Sequence, residues 1–230
     1  MDFTQALEWT GLIAVLLSGV HLASPWVREH IRGRFAFIAP IGAGALAAYI
    51  FLHLLPSLEE TETEFGAGIT AVVLGGFVAY YGVESYLDGR PGHLFGVKIG
   101  VGWLYSFLIV YSLPTSLESN PASAAVAALA LALHVLQSNT HLAAESPSAF
   151  DNVGRYVLMS APLVALALDA VLGAPSAEVA AFLSAFVSGI LLLGLFRDEL
   201  GDEAGQRRFG LFLVGLVVYG SLVGLEELLG

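Results

Sequence analysis

The chain contains no cysteine. Disulfides, thiolate metal sites and cysteine nucleophiles are therefore excluded, and the redox compartment is left open. Charge is scarce too: 13% of the 230 residues are Asp, Glu, Lys or Arg, against 57% that are hydrophobic. Soluble domains run at about 45–50% apolar even when glycine is counted. That excess and a mean hydropathy of +0.78 point to a polytopic membrane protein. Basic residues are the rarest charge, nine against twenty acidic. The resulting net charge of −11 does not suggest nucleic acid as a partner. The opening MDFTQALEW has no basic residue, so it lacks the charged region of a cleavable signal peptide and Gly11 to Ala23 is assigned to the first span. A glycine-rich phosphate loop, a nucleophile elbow and HExxH are also missing. No spacing of Ser, His and Asp argues for a triad, and an enzyme is not expected.

What is present is a series of eight hydrophobic segments, near 6–24, 36–56, 67–86, 95–113, 122–143, 156–173, 177–196 and 209–225. A membrane-crossing helix needs about 20 apolar residues, so the expected fold class is all-α, with eight transmembrane helices. The loops are short and rich in Gly, Pro, Ser and charge, so residues 1–230 read as a single transmembrane domain.

All nine basic residues (Arg28, Arg32, Arg34, Arg90, Lys98, Arg155, Arg197, Arg207 and Arg208) lie in or beside the first, third, fifth and seventh loops. The positive-inside rule makes those loops cytoplasmic, and eight spans then leave both termini outside a cell membrane. The outer side is acidic, with Asp2, Glu8, Glu59, Glu60, Glu62, Glu64, Glu118, Glu178, Glu226 and Glu227. Such a rim attracts cations or is simply a solvated surface, since Asp198, Glu199, Asp202 and Glu203 lie inside.

Span two, GALAAYIFLHLLPSLEE, echoes span seven, GILLLGLFRDELGDE: Gly44 falls on Gly189, Leu46 on Leu191, Phe51 on Phe196 and Leu55 on Leu200. The two spans run in opposite directions, so spans 1–3 and 6–8 are expected to form inverted repeats around central spans 4–5, a recurring transporter layout. Runs of small residues (GAGALAA, GGFVAYYG, Gly100 with Gly102, Ser184 with Ser188) suit close contact between spans.

Span five carries the most chemistry. His134, Ser138, His141 and Glu145 recur at intervals of four, three and four, which puts them on one helix face over about 16 Å. Asn139 and Gln137 add polarity. Ionisable groups at this depth face a protein interior or water, and neutral imidazole is a good ligand for Zn, Fe, Ni or Cu. The stripe is either a cation path or, more blandly, one bonded His134 with His141 and Glu145 at the interface. Asp169 in span six either pairs with a cation or proton or caps the outer interface. Glu84 reads as a surface partner of Arg90, and Tyr105, Ser106, Tyr111 and Ser112 give span four a modest polar character. Tyrosines near a boundary are commonly interface anchors. His21, His30 and His93 read as non-specific.

The stretch from Gly44 to Glu60, with its His53-Leu54-Leu55-Pro56 ending, resembles the second span of the ZIP (Zrt/Irt-like) divalent-metal transporters. Eight spans, external termini and inverted repeats match that family's layout. The resemblance implies a transporter moving zinc or iron into the cytoplasm past His53, His134 and His141, with Ser138 and Asn139 as further ligands and Glu145, Asp169, Tyr105 and Ser106 along the path. It implies no certain cofactor, though Zn or another divalent metal is the one to look for. The partners it implies are the lipid bilayer and a metal cation, with a homodimer among the assemblies open to it. The chain departs from the family where spans four and five carry most of the metal-site carboxylates. The nearest counterparts here are YSFLIV (Tyr105 to Val110) and HVLQSN (His134 to Asn139), in which Val135 and Asn139 stand where the family has glutamates. Two alternatives follow: a ZIP-like scaffold with a degenerate site that does not transport metal, and an intramembrane metal-dependent hydrolase using His53, His134, His141 and Asp169.

Overall fold

Helix is the only regular structure among the described residues of the computed structural model, which are 3–31, 35–66, 68–87, 94–119, 121–196 and 206–229. The helices are α1 (Phe3–Ile31), α2 (Phe35–Tyr49), α3 (Leu55–Phe65), α4 (Gly68–Leu87), α5 (Leu94–Ser119), α6 (Pro121–Glu145), α7 (Pro147–Ala149), α8 (Arg155–Leu172), α9 (Ala177–Gly194) and α10 (Gln206–Leu229). An apolar chain with little water to bond satisfies its backbone within each segment, and a helix does so completely.

Two π-helical turns join pairs of these helices into continuous rods. Ile50–Leu54 connects α2 to α3, and Phe150–Gly154 connects α7 to α8. Pro56 explains the first. Its ring clashes with the carbonyl four residues back and it lacks an N–H. The chain widens by one residue just before it, so that the Leu55 N–H bonds the Ile50 carbonyl. Among the described residues there are thus eight rods, and each of the eight sequence segments falls on one of them. The helices outrun the apolar segments, notably α1 to Ile31 and α3 to Phe65. Gly66 and Gly173 end two rods at φ 94° and 85°, a left-handed backbone that side-chain-bearing residues rarely adopt.

Six described helical stretches are long and apolar enough to span a membrane: Phe3–His30, Ile38–Phe65, Gly68–Tyr86, Phe95–Thr115, Pro147–Leu172 and Ala177–Gly194. In α10 the apolar stretch is shorter, Phe209–Gly224. The polarity of the fold is inverted relative to a water-soluble protein. Leu12, Leu74, Val171 and Leu172 are among many large apolar side chains facing outward, while Thr10, Ser18, His21, Glu84, Gln137, Asn139 and Asp169 are buried. Hydrocarbon surroundings favour that arrangement, and water does not. Of the loop charges that set the expected orientation, Arg32, Arg34, Arg90 and Arg197 lie outside the described residues. So do His93, Asp2, Asp198, Glu199, Asp202 and Glu203. Leu200, one of the residues matched between spans two and seven, does as well.

Glycine sets the closest packing. A Cβ on Gly44 would overlap the Phe212 carbonyl oxygen of α10, and one on Gly215 would overlap that of Ile41 in α2. A Cβ on Gly76 of α4 would overlap the Phe186 oxygen, and one on Gly189 of α9 the Val73 oxygen. These four positions let α2 meet α10, and α4 meet α9, backbone against backbone. The GAGALAA and GGFVAYYG runs thus serve as helix contacts, whereas Gly100 faces open space. Elsewhere, α1 lies along α8, where Ser18 Oγ donates to the Met159 carbonyl at 3.0 Å. The helices α5 and α6 fill the middle, touching α1, α2, α8 and α9.

Gly44→Val and Gly189→Val are each expected to cost about 1–3 kcal/mol of folding stability, seen as an earlier midpoint in an SDS-unfolding titration followed by circular dichroism. Gly75→Ala and Gly82→Ala, where nothing lies within 4 Å, are expected to shift the midpoint by less than about 0.5 kcal/mol.

Candidate functional site

Helix α6 presents three differently occupied faces at the centre of the bundle. Its first face borders a cavity of about 230 Å³ between α4, α5, α6 and α9. The stripe read from the sequence lines it in full: His134, Ser138, His141 and Glu145. Tyr80 and Glu84 line it from α4, Lys98 and Tyr105 from α5, and Gly194 from α9.

His134 lies at the inner part of this surface, packed edge-on against the Tyr105 ring at 5.9 Å between centroids and 71° between planes. Tyr105 is buried, and its hydroxyl has no hydrogen-bond partner among the described residues. The other end is charged, with Lys98 Nζ donating to Glu145 Oε1 at 2.5 Å. Glu84 is buried and borders the same cavity. Beside this end of the bundle, Arg28 pairs with Asp151 at 2.7 Å and ties α1 to the turn before α8.

The second face of α6 carries Asn139, fully sequestered with His21 of α1 and Ser106 of α5. Asn139 Oδ1 lies 3.1 Å from His21 Nδ1, and Ser106 Oγ lies 3.5 Å from His21 Nε2. Donation from Nδ1–H to the asparagine, with Nε2 accepting from the serine hydroxyl, would use both nitrogens of a neutral imidazole. The Ser24 hydroxyl donates to the His21 carbonyl at 2.8 Å. The third face holds Gln137, whose Oε1 lies where it would meet a Cβ on Gly42 of α2.

Of the residues singled out in the sequence, the cavity gathers His134, Ser138, His141, Glu145 and Tyr105. Asn139 and Ser106 instead join His21. The reason is rotational: successive helix positions turn by about 100°, so Asn139 points well away from His134, and Ser106 away from Tyr105. His53 is half-buried in the π-helical turn, stacked on Tyr49 at 5.5 Å, and does not line the cavity. Asp169 of α8 is completely buried away from the cavity, and neither carboxylate oxygen has a hydrogen-bond partner among the described residues. The hydrolase reading needs His53 and Asp169 beside His134 and His141, and the cavity does not bring them there. Among the described residues no three His, Asp or Glu side chains form a group that could hold a metal ion.

Tyr105, which the resemblance puts along the path, is interior and not an interface anchor. Three further residues carry more than the sequence reading assigned them. Glu84 borders the cavity, while Arg90, its expected partner, lies outside the described residues. Lys98 spans from α5 to α6. His21 sits in a polar junction of three helices. A signal for two of them was available: Tyr80 and Glu84 are four apart, and Lys98 and Tyr105 are seven apart, so each pair shares a helix face. No family model, no curated protein and no solved structure matches the chain.

Asn139→Ala leaves His21 without its Nδ1 partner and is expected to destabilise the protein by about 1–3 kcal/mol. In a double-mutant cycle, His21→Ala with Asn139→Ala is expected to cost less than the sum of the two single changes. Strict additivity in a thermal-unfolding series would show that the bond contributes nothing.

Proposed function

We propose that the chain is an eight-span membrane transporter of ZIP-like architecture, and that the cavity along α6 is the cytoplasm-facing half of a divalent-cation path. The observation that carries this reading is the lining itself: all four residues of the α6 polar stripe border one cavity among four helices. Polar, ionisable groups in a membrane interior are costly and mark transport paths more often than bare packing. Lys98 lines the charged end of the cavity, the end that the positive-inside rule assigns to the cytoplasm. Both chain termini then lie outside.

The inverted repeat belongs to the same proposal. An in-plane two-fold relating spans two and three to spans seven and eight would exchange the α2–α10 contact with the α4–α9 contact. The glycine pairs at Gly44 with Gly215 and Gly189 with Gly76 fit that exchange. The π-helical backbone beginning at Ile50 has a counterpart at Leu195, and those two positions are the ones that aligning Gly44 with Gly189 brings together. Transport would proceed by the paired outer helices rocking against α5 and α6. A cation of this kind is cargo, stripped of part of its hydration by imidazole, hydroxyl and carboxylate donors.

A second reading, a ZIP-like scaffold that binds a partner or another substrate and does not move metal, is favoured by one specific observation. No metal-holding group of three His, Asp or Glu converges among the described residues, and a lysine borders the same cavity.

Uptake of Zn²⁺, Fe²⁺ and Mn²⁺ into proteoliposomes separates the two. The transport reading expects flux that falls at least about tenfold in His134→Ala and in His141→Ala, a loss of transition-state stabilisation near 1.4 kcal/mol. Flux equal in wild type and both variants for every metal would sink it. Metal bound stoichiometrically to the purified protein, and lost on changing His134 or His141, would refute the second reading.

A further inference from the structure

We propose that Lys98 is a tethered cation that closes the charged mouth of the cavity by occupying Glu145, so that a mobile cation passes only when the ammonium swings away. The inference rests on the cavity being a cation path and adds how that path is controlled. Lys98 comes from α5 and Glu145 from the last residue of α6, so the pair bridges the mouth from one central helix to the other. Both residues line the cavity, as does the buried carboxylate of Glu84. The charged lining is therefore two carboxylates and one ammonium, and the ammonium is attached to the wall.

Chemistry and exposure both suit a gate. An ammonium on a four-carbon stem is a compact, hydrated point charge with three donors and free rotation. It competes with an arriving cation for the same carboxylate oxygens and repels that cation while it stays. The Glu145 side chain is 47% exposed and that of Lys98 22%. A pair this open to water holds weakly and exchanges readily, as a gate must. Deeper in, the buried Tyr105 hydroxyl, with no partner among the described residues, offers a polar group to whatever enters. Ser138 and His141 line the route between.

The absence of cysteine from the chain makes the test direct. Ser138→Cys places one thiol on the cavity wall, and its modification by a trimethylammonium thiosulfonate can be timed beside that by a neutral thiosulfonate of similar size. In the Lys98→Gln background the cationic reagent is expected to react about tenfold faster, within the range in which charge in a cleft alters arrival rates. The neutral reagent is expected to change by less than about twofold. Lys98→Arg retains the wild-type rate. Glu145→Gln removes a carboxylate that attracts the cationic reagent and leaves the ammonium's positive charge uncompensated in the mouth, so it is expected to slow that reagent. A merely loosened structure would instead speed both reagents in both Lys98→Gln and Glu145→Gln, and that result overturns the gate, as does an unchanged cationic rate in Lys98→Gln. Metal flux equal in wild type, His134→Ala and His141→Ala, alongside the expected labelling pattern, would remove the cargo assignment and leave the gate. Protein that carries metal with labelling insensitive to Lys98 would remove the gate alone.

Discussion

Backbone-to-backbone approach at four glycines is the constraint on which the rest of this structure depends. Where Gly44 meets Gly215's helix and Gly76 meets Gly189's helix, no side chain separates the rods. Between lipid-soluble helices there is no hydrophobic drive to associate, because lipid is as apolar as leucine. Close packing must supply it. Two tightly zipped pairs, α2 with α10 and α4 with α9, stand around the central helices α5 and α6. The cavity forms where the α4–α9 pair meets those central helices.

The central helices divide their polar groups by face. On α6, the cavity stripe, the Asn139 junction and Gln137 look in three directions, so one helix both lines the cavity and is anchored to the scaffold. The anchoring side carries imidazole, amide and hydroxyl groups that meet between α1, α5 and α6, with Asn139 Nδ2 left without a partner among the described residues. A neutral junction suits a dry interior, where a charge without a partner is expensive. The cavity side holds the charge, at its open end, where water and a counter-charge both stabilise it. Asp169 does not follow this pattern. It is a completely buried carboxyl on α8 with no hydrogen-bond partner among the described residues, and the cavity chemistry does not use it.

The sequence reading and the fold agree best where periodicity does the work. The intervals of four, three and four in α6 need only helical geometry, and the four residues they select do share one surface. The small-residue runs were legible for the same reason, since a missing side chain is visible in any alignment of letters with a helix. The resemblance groups Asn139 and Ser106 with the cavity residues, whereas both meet His21. A helix turns adjacent residues apart. His21, a lone histidine near the end of its apolar segment, belongs to no periodic pattern. Its role depends on Asn139, 118 positions away. His53 shows the same limit: the motif around it explains a π-helical turn ahead of Pro56, and the site lies elsewhere.

What the sequence determined by itself was the class of object and the periodic features written along each helix. These are an apolar helical chain in eight segments, a polar stripe on the fifth, and glycines where helices could meet. They depend only on composition and on the rotation per residue, which every helix shares. Tertiary structure alone decided which face of one helix meets which face of another. It brought Lys98 to Glu145, placed Glu84 in the cavity and kept Asp169 and His53 out of it. Pairing between rods is set by side-chain shapes summed over whole interfaces, and no single stretch of the chain contains that sum.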